Sequence, residues 1–307
     1  MKLIATSVVR GSHQGESHGG VYLIDLERQE VHQAIDWNRS DIDWTGRGWD
    51  RGLRGIAFDG ETVYIAASDE LFAYTPSFGR VASWRNPYLR HCHEICVHGR
   101  KLFLTSTGFD TILGFDLDHH CFDWAMRLSA QGEGFSAAPF DPRRGESPKM
   151  SNQLHLNNVH CNAGGMYLSG LNTGGVLHFN GRAVYLLAEL PAGTHNALPF
   201  RDGVLFNDTR SDALRYVSRR DSADNRAFRV PVPPEEQLMH RDADASGVAR
   251  AGFARGLCRV SEYLIAGGSS PSTISLYDLE ANRRVLSVNL SMDVRNAIHG
   301  LEVWPFD

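Results

Sequence analysis

The chain has 307 residues, 42% of them apolar and 22% charged, with a formal net charge of −5 at pH 7. That acidic balance gives no basic footprint for nucleic acid, and no apolar run approaches the ~18–20 residues of a membrane-spanning helix. Met1–Val9 is too short for a secretory signal, and five cysteines placed singly point to reduced thiols in the cytoplasm.

Short runs of Val, Ile, Leu and Phe bounded by Gly, Asp and Ser predict strands throughout the chain. Leu3–Val8, Val21–Leu26 and Val31–Trp37 come first, with a polar loop Val9–Gly20 holding His13 and His18. An aromatic, acidic loop, Asn38–Gly52, carries Asp41, Asp43, Trp44, Trp49 and Asp50. A repeat then sets in, with starts at Arg54-Gly-Ile-Ala-Phe-Asp-Gly, His93-Glu-Ile-Cys-Val-His-Gly, Asn157-Asn-Val-His-Cys-Asn-Ala, His195-Asn-Ala-Leu-Pro-Phe-Arg, Arg255-Gly-Leu-Cys-Arg-Val-Ser and His299-Gly-Leu-Glu-Val-Trp-Pro. The starts lie about 40 residues apart, widened to about 60 by insertions at Ala130–Met150 and Pro231–Ala251.

Each start is followed by a second strand: Val63–Ala67, Leu102–Ser106, Met166–Gly170, Val204–Asn207 and Tyr263–Gly267. The sixth has almost no chain after it, and its missing strands are the three at the N-terminus. The expected fold is all-β: a six-bladed β-propeller, four antiparallel strands per blade, one domain over 1–307. The C-terminal strand joins the N-terminal blade and closes it.

In such a blade the long loops and the inner-strand starts share one face, and elaborated loops on a rigid scaffold are where sites are carried. Arg54, His93, Asn157, His195, Arg255 and His299 would therefore ring the channel mouth. The histidines fall in alternate blades. An imidazole reaches roughly 6 Å from its Cα, so His93, His195 and His299 could converge as a facial set for a divalent metal such as Zn, Fe, Mn or Cu. With Glu94 they are the catalytic candidates. Arg54, Arg255, Asn157, His155 and Asp208 are the substrate-binding candidates. Asp110 and Asp212 lie on the same face. Without a metal, the ring makes a cationic well for a carboxylate or phosphate. The alternative is structural: polar channel residues that tie blades together.

Other signals are weaker. Strand alternation would put Cys92, Glu94 and Cys96 opposite His91 and His93, so that tract is not one metal site. His119-His120 reads as a solvated turn pair, and Asn207–Asp212 as Asx-turns. There is no nucleotide or flavin fingerprint, no Gly-x-Ser-x-Gly and no His-Glu-x-x-His.

Leu154-His-Leu-Asn-Asn-Val, Thr194-His-Asn-Ala-Leu-Pro-Phe, Ala254-Arg-Gly-Leu and His93-Glu-Ile resemble the blade starts of a bacterial propeller group of unassigned function. That group shows His-Asp-Ile, His-Leu-Asn-Gly/Asp, Pro-His-Ser and Arg-Gly-Leu, and this chain departs at Glu94 and Thr194. More distantly, the chain resembles the gluconolactonase and strictosidine-synthase-like six-bladed propellers. Those hold a divalent metal or bind substrate at the channel mouth. The lactonase metal set (Glu, two Asn, Asp) is not reproduced, and Asn157 alone matches it in type. The resemblance implies a fold and a place for the site.

Two function classes follow. One is an enzyme acting on a small anionic metabolite, a hydrolase or lyase with a histidine as metal ligand or general acid/base and the arginines holding the anion. The other is a non-catalytic ligand-binding or protein-interaction propeller, with structural histidines and the Trp-bearing loop as a partner surface.

Overall fold

Short β-branched and aromatic runs between Gly, Asn and Asp turns favour hairpins over helices. The computed structural model is all-β in consequence, and it describes residues 1–38, 52–132, 134–145, 148–242 and 249–306. The Asn38–Gly52 loop, with Asp41, Asp43, Trp44, Trp49 and Asp50, falls outside the described residues apart from its ends.

In chain order the strands are β1 (Lys2–Val9), β2 (Gly20–Asp25), β3 (Glu30–Asp36), β4 (Ile56–Asp59), β5 (Thr62–Ala66), β6 (Glu70–Tyr74) and β7 (Arg80–Arg85). Next come β8 (Ile95–His98), β9 (Lys101–Ser106), β10 (Thr111–Asp116), β11 (Cys121–Gln131), β12 (Gly134–Phe140), β13 (Leu156–Asn162), β14 (Gly165–Gly170), β15 (Gly175–Phe179) and β16 (Val184–Glu189). The last are β17 (Thr194–Phe200), β18 (Gly203–Asp208), β19 (Ala213–Ser218), β20 (Arg226–Arg229), β21 (Arg255–Arg259), β22 (Leu264–Ser269), β23 (Thr273–Asp278), β24 (Arg283–Asn289) and β25 (Asn296–Val303). They form six antiparallel sheets, the blades of a six-bladed β-propeller. β25 pairs with β1 from Leu3↔Val303 to Val9↔Asn296, so the C-terminus completes the N-terminal blade as expected.

The insertion at Ala130–Met150 departs from the loop reading. β11 runs on to Gln131 and β12 returns beside it, giving that blade a fifth strand. Phe135 and Ala137 of β12 pack against the cluster holding Ile112, Met126 and Leu128, and Ser129 and Ser136 pair their hydroxyls at 2.8 Å. The second insertion is anchored in its described part, where Met239 N–H donates to Met292 O and Val294 N–H to Met239 O.

The described chain divides into two compact units: residues 1–55 with 207–307, and residues 56–206. In the first, Leu3, Ala5, Ile24, Cys258, Ala266, Ile298 and Leu301 form a core; in the second, Leu89, Leu102, Leu104, Leu113 and Phe115 do. Second strands are buried nearly throughout, as in β18 and β22, whereas the outermost β7 and β24 expose alternate residues. A strand covered on both faces needs a continuous apolar run, and one covered on one face needs alternation. Fully burying one leucine contributes about 2 kcal/mol.

Candidate functional site

The starts of several inner strands share a local device. Pairing skips one residue between Arg255 and Leu257 and between Leu156 and Asn158, and two, His299 and Gly300, between Ile298 and Leu301 opposite β1. Such bulges kink the strand and re-aim side chains. Gly256 takes φ +75°, and a Cβ there would lie 2.9 Å from Ile298 Cγ2, so the position requires glycine. Thr6 secures the bulge at His299-Gly300: its hydroxyl accepts from Gly300 N–H at 2.8 Å and donates to Arg54 O at 2.5 Å.

In the unit formed by residues 1–55 and 207–307, the bulge directs Arg255 onto His299. Nη1 lies 3.2 Å from Nε2 and 3.4 Å from Nδ1, with both side chains buried. A guanidinium only donates, so the imidazole accepts and is neutral in this contact. Arg255 also covers the ring of Phe253 at 4.8 Å, and Arg10 and Arg250 approach the same ring at 4.4 and 5.3 Å. Phe253 is pinned by its own backbone, since Ser270 N–H donates to Phe253 O and Gly252 N–H to Ser270 O. Arg10 is held through its N–H on Arg295 O, and Arg250 by an ion pair to Asp212 at 2.5 Å. Arg54 is wholly buried. Asp208 takes Arg215 Nε at 3.0 Å and Ser211 N–H at 3.2 Å, which makes it a turn anchor. His18, in the Val9–Gly20 loop, is buried against the Ser12 hydroxyl at 2.6 Å.

In the unit formed by residues 56–206, His93 precedes its strand. Its backbone N–H and that of Glu94 both donate to the Thr105 hydroxyl. His93 Nδ1 lies 2.8 Å from His91 O and 2.9 Å from Thr107 Oγ1. Thr107 spends its single hydroxyl proton on Leu156 O at 2.5 Å, so both neighbours of Nδ1 are acceptors. Nδ1 therefore carries the proton and Nε2 the lone pair. His195 repeats the device, with Nδ1 donating to Gly193 O at 3.1 Å. The His155 ring meets the His93 ring edge-on, centroids 5.7 Å apart. His155 lies just before β13 with φ +52°, so strand alternation from Asn157, the basis on which the sequence placed it, does not operate there.

Asp110 holds that segment. Its carboxylate accepts from Ser151 Oγ and from the backbone N–H groups of Gln153, Leu154 and His155. The carboxylate is therefore committed to three backbone N–H groups and one hydroxyl. Glu94 Oε1 accepts from Asn196 Nδ2 at 2.6 Å. Asn157, 1% exposed, donates through Nδ2 to Thr194 O, while its Oδ1 has no hydrogen-bond partner among the described residues. Asn158, likewise, donates to Ala197 O. Asparagine at these starts thus ties one blade to the next, as the structural alternative supposed.

A three-histidine metal set finds no support in this geometry. Among the described residues no three His, Cys, Asp or Glu side chains are grouped to hold a metal ion. His299 also has a permanent cation against its ring nitrogens, where a metal would have to sit. The His91–Cys96 tract is dispersed: His91 takes φ +56°, Cys92 is buried, and Cys96 faces Cys161. His119 pairs with Asp116 at 3.0 Å in solvent, whereas His120 stacks on Phe115 and meets Trp84 at a tilt. Sequence reading missed Arg10, Arg250, Phe253, Thr107 and Asn196. Only Phe253, two residues before Arg255, carried a local signal.

No family model and no curated protein matches this chain. Solved structures do resemble it. A chain of the nidogen/laminin complex aligns at TM-score 0.60 and 11% identity, covering 99% of this chain and 98% of that one. The C-terminal WD40 domain of Sif2 aligns at TM-score 0.51 and 10% identity, covering 100% and 88%. Virginiamycin B lyase from Staphylococcus aureus aligns at TM-score 0.47 and 10% identity, covering 81% and 73%. At these identities the likeness concerns the fold. No helix among the described residues is long and apolar enough to cross a membrane.

Proposed function

We propose that the chain binds a small anionic metabolite, a carboxylate or phosphate, through the arginines gathered on Phe253. The observation that supports this most is the convergence of three guanidinium groups on one ring, with His299 accepting from one of them. Guanidinium is always charged and presents a planar fork that suits carboxylate and phosphate oxygens. Cation–π contacts, each about 0.5–1 kcal/mol at exposed sites, help offset the repulsion among the arginines. An anion between them would offset more. The reading is tested by a thermal-shift screen of dicarboxylates and phosphorylated metabolites on wild type and Arg10→Gln. A hit that weakens about tenfold in Arg10→Gln, the loss of one charge-assisted hydrogen bond, supports it. Equal binding by both proteins would sink it.

Catalysis is a second reading, favoured by one observation: His93 and His195 both hold their proton on Nδ1, leaving Nε2 as the basic nitrogen. A neutral imidazole locked in one tautomer suits a general base. Nitrogen-15 spectra of the imidazoles test it. Nδ1–H signals for both rings at pH 8 are expected, and Nε2–H signals would remove this argument. The blade starts resemble those of the bacterial propeller group of unassigned function, and the architecture is more distantly similar to that of the gluconolactonase-like propellers.

A further inference from the structure

Away from the inner strands, the outer hairpin of the β17–β20 blade carries a polar cavity of about 620 Å³. Its lining follows from the register of β19 and β20. Ala213 pairs with Arg229 and Arg215 with Ala227, so these four side chains share one face of the sheet. Leu214 and Phe228, also paired, take the other face and are buried. Each arginine thus stands across from an alanine, whose methyl group leaves room above the sheet. The turn before β19 adds Arg210, Ser211 and Asp212 to the lining. Asp208 anchors that turn by accepting Ser211 N–H, and its buried carboxylate also holds Arg215 at 3.0 Å. Asp212 is engaged by Arg250 at 2.5 Å. The side chains of Arg210, Arg229 and Ser211 have no hydrogen bond or ion pair among the described residues.

We propose that this cavity is a second anion site, separate from the Phe253 cluster, that takes the phosphate group of a small phosphorylated metabolite. The carboxylates at hand are already matched, Asp208 with Arg215 and Asp212 with Arg250. Arg210 and Arg229 therefore leave two positive charges uncompensated at the cavity. A phosphomonoester carries about −1.5 to −2 at pH 7 and offsets both, whereas a single carboxylate offsets one. Guanidinium forks suit its three terminal oxygens, and the Ser211 hydroxyl supplies a further donor. The cavity lies within the roughly 300–1,000 Å³ usual for small-molecule sites, so space remains for the body of the metabolite. A lining of arginine, serine and alanine, with no large apolar side chain, favours a hydroxylated body over an apolar one. The Asp212–Arg250 ion pair joins the cavity to the Phe253 cluster, but neither Arg10 nor Arg255 lines it.

The test follows the arginine Nε–H signals of the full nitrogen-15-labelled chain during titration with inorganic phosphate. The signals of Arg210, Arg215 and Arg229 should shift together and saturate; no saturable shift at these arginines would overturn the proposal. Arg210→Gln/Arg229→Gln should bind phosphate at least about tenfold more weakly with unchanged circular dichroism, since neither side chain has a partner to lose. Undiminished affinity in that folded variant would also overturn it. Arg10→Gln should leave the three shifts in place, whereas their disappearance there would assign the phosphate to the Phe253 cluster and remove the second site. Acetate should bind at least about tenfold more weakly than phosphate, and equal affinity would contradict the choice of a dianion. Glucose 6-phosphate should bind at least as tightly as phosphate; weaker binding would rule out a metabolite as the occupant.

Discussion

The two units are built from the same antiparallel blade, yet the ends of their inner strands carry different chemistry. Residues 1–55 with 207–307 present fixed cations: Arg10, Arg250 and Arg255 around Phe253. Residues 56–206 present imidazoles, His93, His155 and His195, with Glu94 held by Asn196. The difference lies in the residue types placed there. Arginine there brings a charge that does not titrate, whereas histidine brings a group whose state depends on its hydrogen bonds. The same scaffold thus carries fixed cations in one unit and imidazoles in the other.

The largest effect is expected in the imidazole-rich unit, at its anchor. Asp110→Ala leaves one half-buried side-chain donor and three backbone N–H groups without their acceptor. A loss of about 3 kcal/mol is expected in urea unfolding, with altered chemical shifts at His155. A loss below about 0.5 kcal/mol would mean that water replaces the carboxylate there.

Phe253→Leu sharpens the other half of the comparison. It removes the ring that three guanidinium groups cover, and should cost about 1–2 kcal/mol of stability in the same unfolding measurement while weakening anion binding. Unchanged affinity would show that the arginines are organised by something other than the ring. Thr107→Val removes one acceptor from His93 Nδ1 and the tie to Leu156 O, and should cost about 1 kcal/mol. Its nitrogen-15 spectrum should show the His93 proton shared between both nitrogens, while His195 keeps Nδ1–H.

The smallest effect lies away from both sets of strand ends. Arg143 donates to Asp141 through its side chain and backbone, and holds that carboxyl down from 3.8 to about 2. A depressed carboxylate stabilises the folded state above its unfolded value, and that contribution is lost as pH falls through the folded one. The window is therefore pH 4 to 2. Asp141 is on the surface, so Asp141→Asn should flatten the acid-side fall in Tm only slightly, and a steeper fall in the variant would reverse the sign assigned here.

Much of this was legible in the sequence because a blade start has a local signature. Arg255-Gly256-Leu257, His299-Gly300-Leu301 and His195-Asn196-Ala197 each place a polar side chain, a residue tolerant of a bulge or left-handed backbone, and then an apolar residue. Second strands declare themselves as unbroken apolar runs, and the pairing of β25 with β1 follows from counting what the last repeat lacks. β12 was hidden because Phe135-Ser-Ala-Ala-Pro-Phe is too short and too near proline to announce a strand, and it exists through its pairing with an extended β11. The arginine cluster was hidden for another reason. Arg10, Arg250 and Arg255 meet only because Arg10 is tied to Arg295 and Phe253 to Ser270, contacts that no local pattern encodes. The histidine tautomers likewise depend on Thr107 donating to Leu156 O, a contact across 49 residues.

The account's central claim is that the arginines on Phe253 recognise an anion, and calorimetry tests it most directly. The best dicarboxylate or phosphate from the screen would be titrated into wild type and an Arg10→Gln/Arg255→Gln double variant, at low salt and at about 0.5 M salt. Wild type should bind stoichiometrically and lose affinity as salt screens the charges, and the double variant should bind at least about a hundredfold more weakly while keeping its fold by circular dichroism. Salt-independent binding that survives in a folded double variant would contradict the claim.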